Sequence, residues 1–96
     1  MTKKGHNMNN GYLVLYRREA ATYLRRLPAR DRERILEAIE KLAEGTVNRM
    51  LDIRKLRNRS GFRMRVGGFR ILFVRDDEKL VVRVLVIKPR GDAYKG

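Results

Sequence analysis

The hydrophobic positions of this chain change their period once, near its middle. Tyr12-Leu-Val-Leu-Tyr16 is a short, β-prone apolar run, which predicts a first strand. Helical spacing follows, with Ala20, Leu24 and Leu27 at i, i+4, i+7 and Tyr23 beside them. Pro28 ends that helix and is suited to open the next at its first turn. Ile35, Ile39 and Leu42 form a second stripe, widened by Leu36 and Ala43. Asp31, Glu33, Glu37 and Glu40 supply its wet face, and Gly45 stops it. From Asp52 onward the period is two. Phe62, Met64 and Val66 alternate with Arg63 and Arg65, Gly67-Gly68 reads as a two-residue hairpin turn, and Phe69, Ile71 and Phe73 alternate with Arg70 and Leu72. A second turn at Asp76-Asp77-Glu78-Lys79 leads into a last strand from Leu80 to Ile87. The predicted fold is α+β: an N-terminal strand, a helical hairpin, then an antiparallel meander of three or four strands, with the helices packed on one face of a single sheet. Residues 1–11 read as a disordered polar lead-in, with Met8 an alternative start, and residues 12–96 as a single domain.

The Gly67-Gly68 turn fixes a register. Val66 faces Phe69, Met64 faces Ile71 and Phe62 faces Phe73, all on one side of the hairpin. A slip by one residue would set arginine against phenylalanine. On the other side Arg65 lies opposite Arg70, with Arg63 two residues along. Like charges directly opposed destabilise a sheet by up to about 1 kcal/mol. One reading is that these arginines splay into solvent or lean on Leu72 and Leu85. The functional reading is a seat for phosphates, because a guanidinium binds phosphate oxygens in pairs and stays charged. The last strand is expected to pair Phe73 with Val82 and Ile71 with Val84. Its tail would bring Lys88, Arg90 and Tyr94 back toward the edge of the same sheet.

Charge agrees with the phosphate reading. The chain of 96 residues carries 24 Lys and Arg against 11 Asp and Glu, a formal +13, and a field of that size favours polyanions. Residues 17–44 are nearly balanced, whereas residues 53–75 hold eight basic residues and no acidic one. The cationic surface therefore belongs to the second half. There is no cysteine, which excludes disulfides and thiolate metal sites. No apolar run approaches the roughly 20 residues of a membrane span, and the polar start lacks a signal peptide's apolar core, so a cytoplasmic protein is expected. That setting makes Arg90-Gly91-Asp92 an accident rather than an adhesion tripeptide.

Few groups are suited to proton transfer. The lone His6 lies in the lead-in, no carboxylates cluster at metal-ligand spacing, and neither a metal nor a cofactor is expected. Tyr94 stands out. Positive charge nearby favours a phenolate and lowers the phenol pKa from about 10. A tyrosine among guanidinium groups is then equipped to take a proton from a ribose 2′-OH while arginines stabilise the charge of the transition state. The plainer reading of Tyr94 is a stacking or packing aromatic.

The run from Lys55 to Gly96 resembles the second half of RelE-type toxins of the RelE/ParE superfamily. The matching features are the Lys55-Leu56-Arg57 entry, the Phe62-Arg-Met-Arg-Val66 strand, Gly68-Phe-Arg70 and the closing Arg90 and Tyr94. The first half fits as well, so the resemblance covers about residues 12–95. RelE toxins enter the ribosomal A site and cleave mRNA there without a metal. A cognate antitoxin wraps them and displaces their C-terminal elements. The resemblance implies catalytic positions at Arg63, Arg65, Arg70, Arg90 and Tyr94, and contacts to RNA or ribosome by Lys55, Arg57, Arg59, Lys88 and Lys95. It implies an acidic antitoxin and the ribosome, with its rRNA and mRNA, as partners. Well-known RelE sequences carry lysine where this chain has Arg63 and Arg65. Arginine does not shuttle protons, so that burden shifts to Tyr94 and the general acid is unassigned. The ParE branch, which inhibits DNA gyrase without nuclease chemistry, and a non-enzymatic basic RNA-binding module are the alternatives.

Overall fold

A computed structural model describes residues 11–45, 51–57 and 59–89. Its elements are β1 (Leu13–Tyr16), α1 (Arg18–Arg26), α2 (Ala29–Ala43), β2 (Asp52–Lys55), β3 (Phe62–Val66), β4 (Phe69–Asp76) and β5 (Val81–Pro89). The five strands form one mixed sheet in the order β1-β5-β4-β3-β2, and the two helices pack on one of its faces. The α+β architecture agrees with the sequence pattern. The meander has four strands, and β1 joins it by pairing parallel with β5, from Leu13 opposite Val81 to Tyr16 opposite Val84. β1 covers only the first half of β5, so the C-terminal half, from Val86 to Pro89, pairs with β4 alone and lies at the edge of the sheet, as expected for Lys88.

The helical corner is set by local chemistry. α1 stops at Arg26, and Pro28 is the N-cap of α2 rather than a first-turn residue. Arg32 donates a hydrogen bond from Nη1 to the Leu27 carbonyl at 2.8 Å, placing a cation at the C-terminal end of α1 where the helix dipole favours one. Gly45 adopts φ 83° just beyond α2 and donates to the Leu42 carbonyl, a left-handed cap that suits glycine. The stripe on α2 is Ile35, Ala38, Ile39, Leu42 and Ala43. Leu36, expected to widen it, is instead exposed. Ile35, Ala38, Ile39 and Leu42 meet Met64, Ile71, Phe73, Val82, Val84 and Ile87 of the sheet to form the core.

The β3–β4 hairpin has the register read from its turn, with Phe62 opposite Phe73, Met64 opposite Ile71, Arg65 opposite Arg70 and Val66 opposite Phe69. Gly67 takes φ 57°, as the turn requires. The register of β5 differs from expectation. Phe73 pairs with Val84 rather than Val82, and Ile71 with Ile87 rather than Val84. Two features explain this. The second turn has the expected four residues but lies one position further along: Asp76 pairs with Val81, and residues 77–80 form the loop. The Asp76 carboxylate accepts hydrogen bonds from the backbone N–H groups of Glu78 and Lys79, both at 3.0 Å, and Leu80 takes φ 55°. A β-bulge then places Leu85 between the Val84–Phe73 and Val86–Leu72 pairs, which shifts the facing of every later residue in β5.

Candidate nucleic-acid interface

The bulge decides which side of the sheet Lys88 occupies. Up to Val84, the even-numbered residues of β5 point to the helices, and Val82 and Val84 are completely buried. Strict alternation would put Val86 and Lys88 on that side too. After the bulge Ile87 takes the inward position and is buried, while Lys88 lies opposite Arg70 on the open face. Two rows therefore cross that face at right angles to the strands. One runs Asp52, Arg65, Arg70, Lys88; the other runs Arg54, Arg63, Leu72, Val86. Strands lie about 4.8 Å apart, so three neighbouring cations span roughly 10 Å.

The cations differ in their partners. The Nη1 atom of Arg65 is 4.0 Å from Asp52 Oδ2, and the Nε atom of Arg54 is 4.0 Å from Asp52 Oδ1. Arg63 and Arg70 are half-buried, and their Nε atoms are shielded from solvent without a hydrogen-bond acceptor. A shielded donor without a partner is costly and is normally satisfied by protein, water or ligand. Leu72, beside Arg63 in its row, is buried although it belongs to the open face. Arginine stems that cover apolar surface behave this way. At the β2 edge an open cleft of about 550 Å³ is lined by Ile53, Arg54, Lys55, Leu56, Arg57 and Arg63.

Of the residues singled out in the sequence, Arg63, Arg65, Arg70 and Lys88 are brought onto one face, and Lys55 and Arg57 join Arg63 around the cleft. Arg59 is exposed in the β2–β3 connection and lines neither feature. Arg90, Tyr94 and Lys95, like the lead-in up to residue 10, lie outside the described residues. Sequence reasoning missed Arg54 and Asp52. Their shared parity in β2 was the available signal, but it has meaning only once β2 is known to pair with β3.

No aromatic ring lies on the open face among the described residues. Phe62, Phe69, Tyr12, Tyr16 and Tyr23 pack against the core, and Phe73 belongs to it. Tyr12 and Tyr16 also hold their protons more firmly than a free phenol. The hydrogen bond from the Tyr12 hydroxyl to Asp77, at 2.8 Å, raises its pKa, and burial raises that of Tyr16. The described surface therefore offers charge but no stacking platform, which suits phosphate contact rather than base recognition. Toward β1 the same face carries the exposed Leu13 and Leu15, with the exposed Arg83 of β5 opposite Leu15. Among the described residues there is no group of acidic or histidine side chains able to hold a metal, and no helix long and apolar enough to cross a membrane.

Solved structures share this architecture. A chain of the archaeal RelE–RelB complex from Pyrococcus horikoshii matches with a TM-score of 0.74 and 27% identity, covering 84% of this chain and 97% of that one. A chain of the toxin–antitoxin complex RelBE2 from Mycobacterium tuberculosis is 31% identical, covering 88% and 97%, with a TM-score of 0.60. The isolated RelE toxin of E. coli shares the fold at 22% identity and a TM-score of 0.68, covering 88% and 92%. No curated protein sequence matches significantly. The sequence model for the ParE toxin of the type II toxin–antitoxin system parDE matches residues 11–94. With nearly its whole length matched, the chain belongs to the ParE toxin family, and it is a toxin of a toxin–antitoxin pair built on the fold of RelE.

Proposed function

We propose that this toxin is a ribosome-dependent mRNA endoribonuclease that acts in the A site without a metal. The observation that carries this reading is the convergence of Arg63, Arg65, Arg70 and Lys88 on one open face, with two guanidinium Nε atoms unpaired. In the proposed reaction a ribose 2′-oxygen attacks the adjacent phosphorus, the 5′-oxygen leaves, and a cyclic phosphate remains on the upstream fragment. Arg63, Arg65 and Arg70 stabilise the added negative charge on the phosphate oxygens. Fixed donors of this kind are each worth about 10²–10³ in rate. Arginine neither accepts nor releases protons near neutral pH, so the 2′-OH proton passes to the phenolate of Tyr94 and the departing 5′-oxygen takes a proton from water, with Arg90 assisting by its charge at the phosphate or leaving group. Lys55, Arg57, Arg59, Lys88 and Lys95 contact RNA of the message or ribosome. An acidic antitoxin masks the face and its flanking tail in the resting cell, and action on the ribosome makes the toxin cytoplasmic.

The match to the ParE family model favours a second reading, inhibition of DNA gyrase without nuclease chemistry. One experiment separates the two. Purified protein is added to translating ribosomes and, in parallel, to a gyrase supercoiling assay. A-site cuts that disappear in Arg70→Ala and Tyr94→Phe support the nuclease. Intact message with blocked supercoiling overturns it. Binding of RNA with neither effect points to a non-enzymatic module.

A further inference from the structure

The open face is not uniformly available to anions. In the described stretches from residue 51 to Arg75 the only acidic residue is Asp52, and it lies in the cationic row itself, at the outer end on the edge strand β2. Its two carboxylate oxygens each approach a different arginine at 4.0 Å, Oδ1 toward Arg54 and Oδ2 toward Arg65. A carboxylate placed between two guanidinium groups occupies the position in which two oxygens of a phosphate would bind. The neighbouring pair is in the opposite state, because Arg63 and Arg70 present shielded Nε donors with no acceptor.

We propose that Asp52 is a built-in counter-anion that sets where a phosphate binds, holding Arg54 and Arg65 itself and leaving Arg63 and Arg70 as the open pair. This rests on the reading of the face as a nucleic-acid site. Without the carboxylate, a flexible polyanion would have two adjoining cationic pairs of similar strength and could slide between them. With it, the charge of Arg54 and Arg65 is partly compensated, so the phosphate settles on Arg63 and Arg70, and Arg65 adds its remaining charge from beside them. Asp52 thus trades affinity for position, and its removal is expected to tighten binding rather than weaken it. Its side chain is about half-exposed, so Asp52→Asn leaves the core untouched.

The test is binding of the full-length protein to a short fluorescent oligouridylate, measured across a salt series. Asp52→Asn should bind about fivefold tighter at low salt, the effect of one unit charge near 4 Å in water. Its salt dependence should steepen by about 0.7 in the log–log slope, one extra phosphate contact on a single strand. In the Arg54→Ala, Arg65→Ala background the same change should give no gain in slope and little in affinity. Unchanged or weaker binding by Asp52→Asn overturns the inference. So does an equal gain that persists without Arg54 and Arg65, because that would be a diffuse field effect. If the wild-type protein binds no RNA at any salt, the nucleic-acid reading of the face falls and takes this inference with it.

Discussion

The two sides of the β3–β4 hairpin share one backbone ladder and are built on opposite terms. On the helix side, Phe62 and Phe73 stack with ring centroids 5.4 Å apart and an interplanar angle of 18°, while Met64 and Ile71 are completely buried. On the open side, Arg65 faces Arg70 with Asp52 and Lys88 at the ends of the row. The first side stabilises the hairpin through apolar burial. The second works against it through like-charge opposition. A sheet can keep such a face only because the other one outweighs it. A surface that costs stability without serving the core is where function is expected, since nothing in the fold requires it.

The largest effect should come from breaking the covered side. Phe73→Ala leaves a cavity in the core and is expected to cost about 3–5 kcal/mol, read from urea unfolding. Arg70→Ala tests the other side of the same strand. Cleavage on ribosomes should fall about 10²–10³-fold, while unfolding stability stays within about 1 kcal/mol of wild type or rises. A loss of stability in Arg70→Ala as large as in Phe73→Ala would erase the contrast between the faces.

The turn that joins the two strands gives a smaller, sharper comparison. A Cβ at Gly67 would meet Arg34 Nη1 at 2.8 Å and would sit on a backbone with φ 57°. The guanidinium end can move aside, so the cost of Gly67→Ala is mainly the left-handed conformation, about 1–2 kcal/mol. A Cβ at Gly68 meets nothing within 4 Å, and Gly68→Ala should be near neutral. Equal losses at the two glycines would show that the turn is not held in this conformation.

The smallest effect lies at the far end of the sheet, away from the arginine row. The Tyr12 hydroxyl donates to Asp77, and Arg75 Nε donates to the same oxygen at 2.9 Å. The Tyr12 hydrogen bond, ahead of the charge of Arg75, lowers the Asp77 pKa, and that same hydrogen bond raises the pKa of Tyr12. A lowered carboxyl pKa adds stability that is present above its unfolded value, about 4, and lost as pH falls through the folded value. A raised phenol pKa adds stability that is present below its unfolded value, about 10, and lost as pH rises through the folded one. The difference in melting temperature between wild type and Tyr12→Phe should therefore be a small plateau between those limits that vanishes at both ends. Cleavage by Tyr12→Phe should match wild type, because the clasp is remote from the arginine face.

Legibility in the sequence followed the range of the interactions involved. The β3–β4 hairpin could be read residue by residue, because a two-glycine turn and strict alternation leave one register that keeps phenylalanine away from arginine. The helical hairpin was equally plain from its stripe, Pro28 and Gly45. Leu36 was misplaced because a stripe's width depends on which neighbour it meets. The β4–β5 register failed because the position of that turn is set by the Asp76 side chain capping its own loop, and by Asp77 reaching Tyr12 across 65 positions.

The sequence by itself determined that arginines would share one face of a hairpin, since period-two alternation and a tight turn are local and leave no other arrangement. Only the tertiary structure decided what joins them. The parallel docking of β1 covered the first half of β5 and left the half that carries Lys88 at the edge. The Leu85 bulge turned Lys88 toward Arg70 instead of toward the helices. The pairing of β2 with β3 set Asp52 against Arg65. Each of these depends on contacts between segments far apart in the chain, whose energies are settled by packing in three dimensions rather than by any neighbour in sequence.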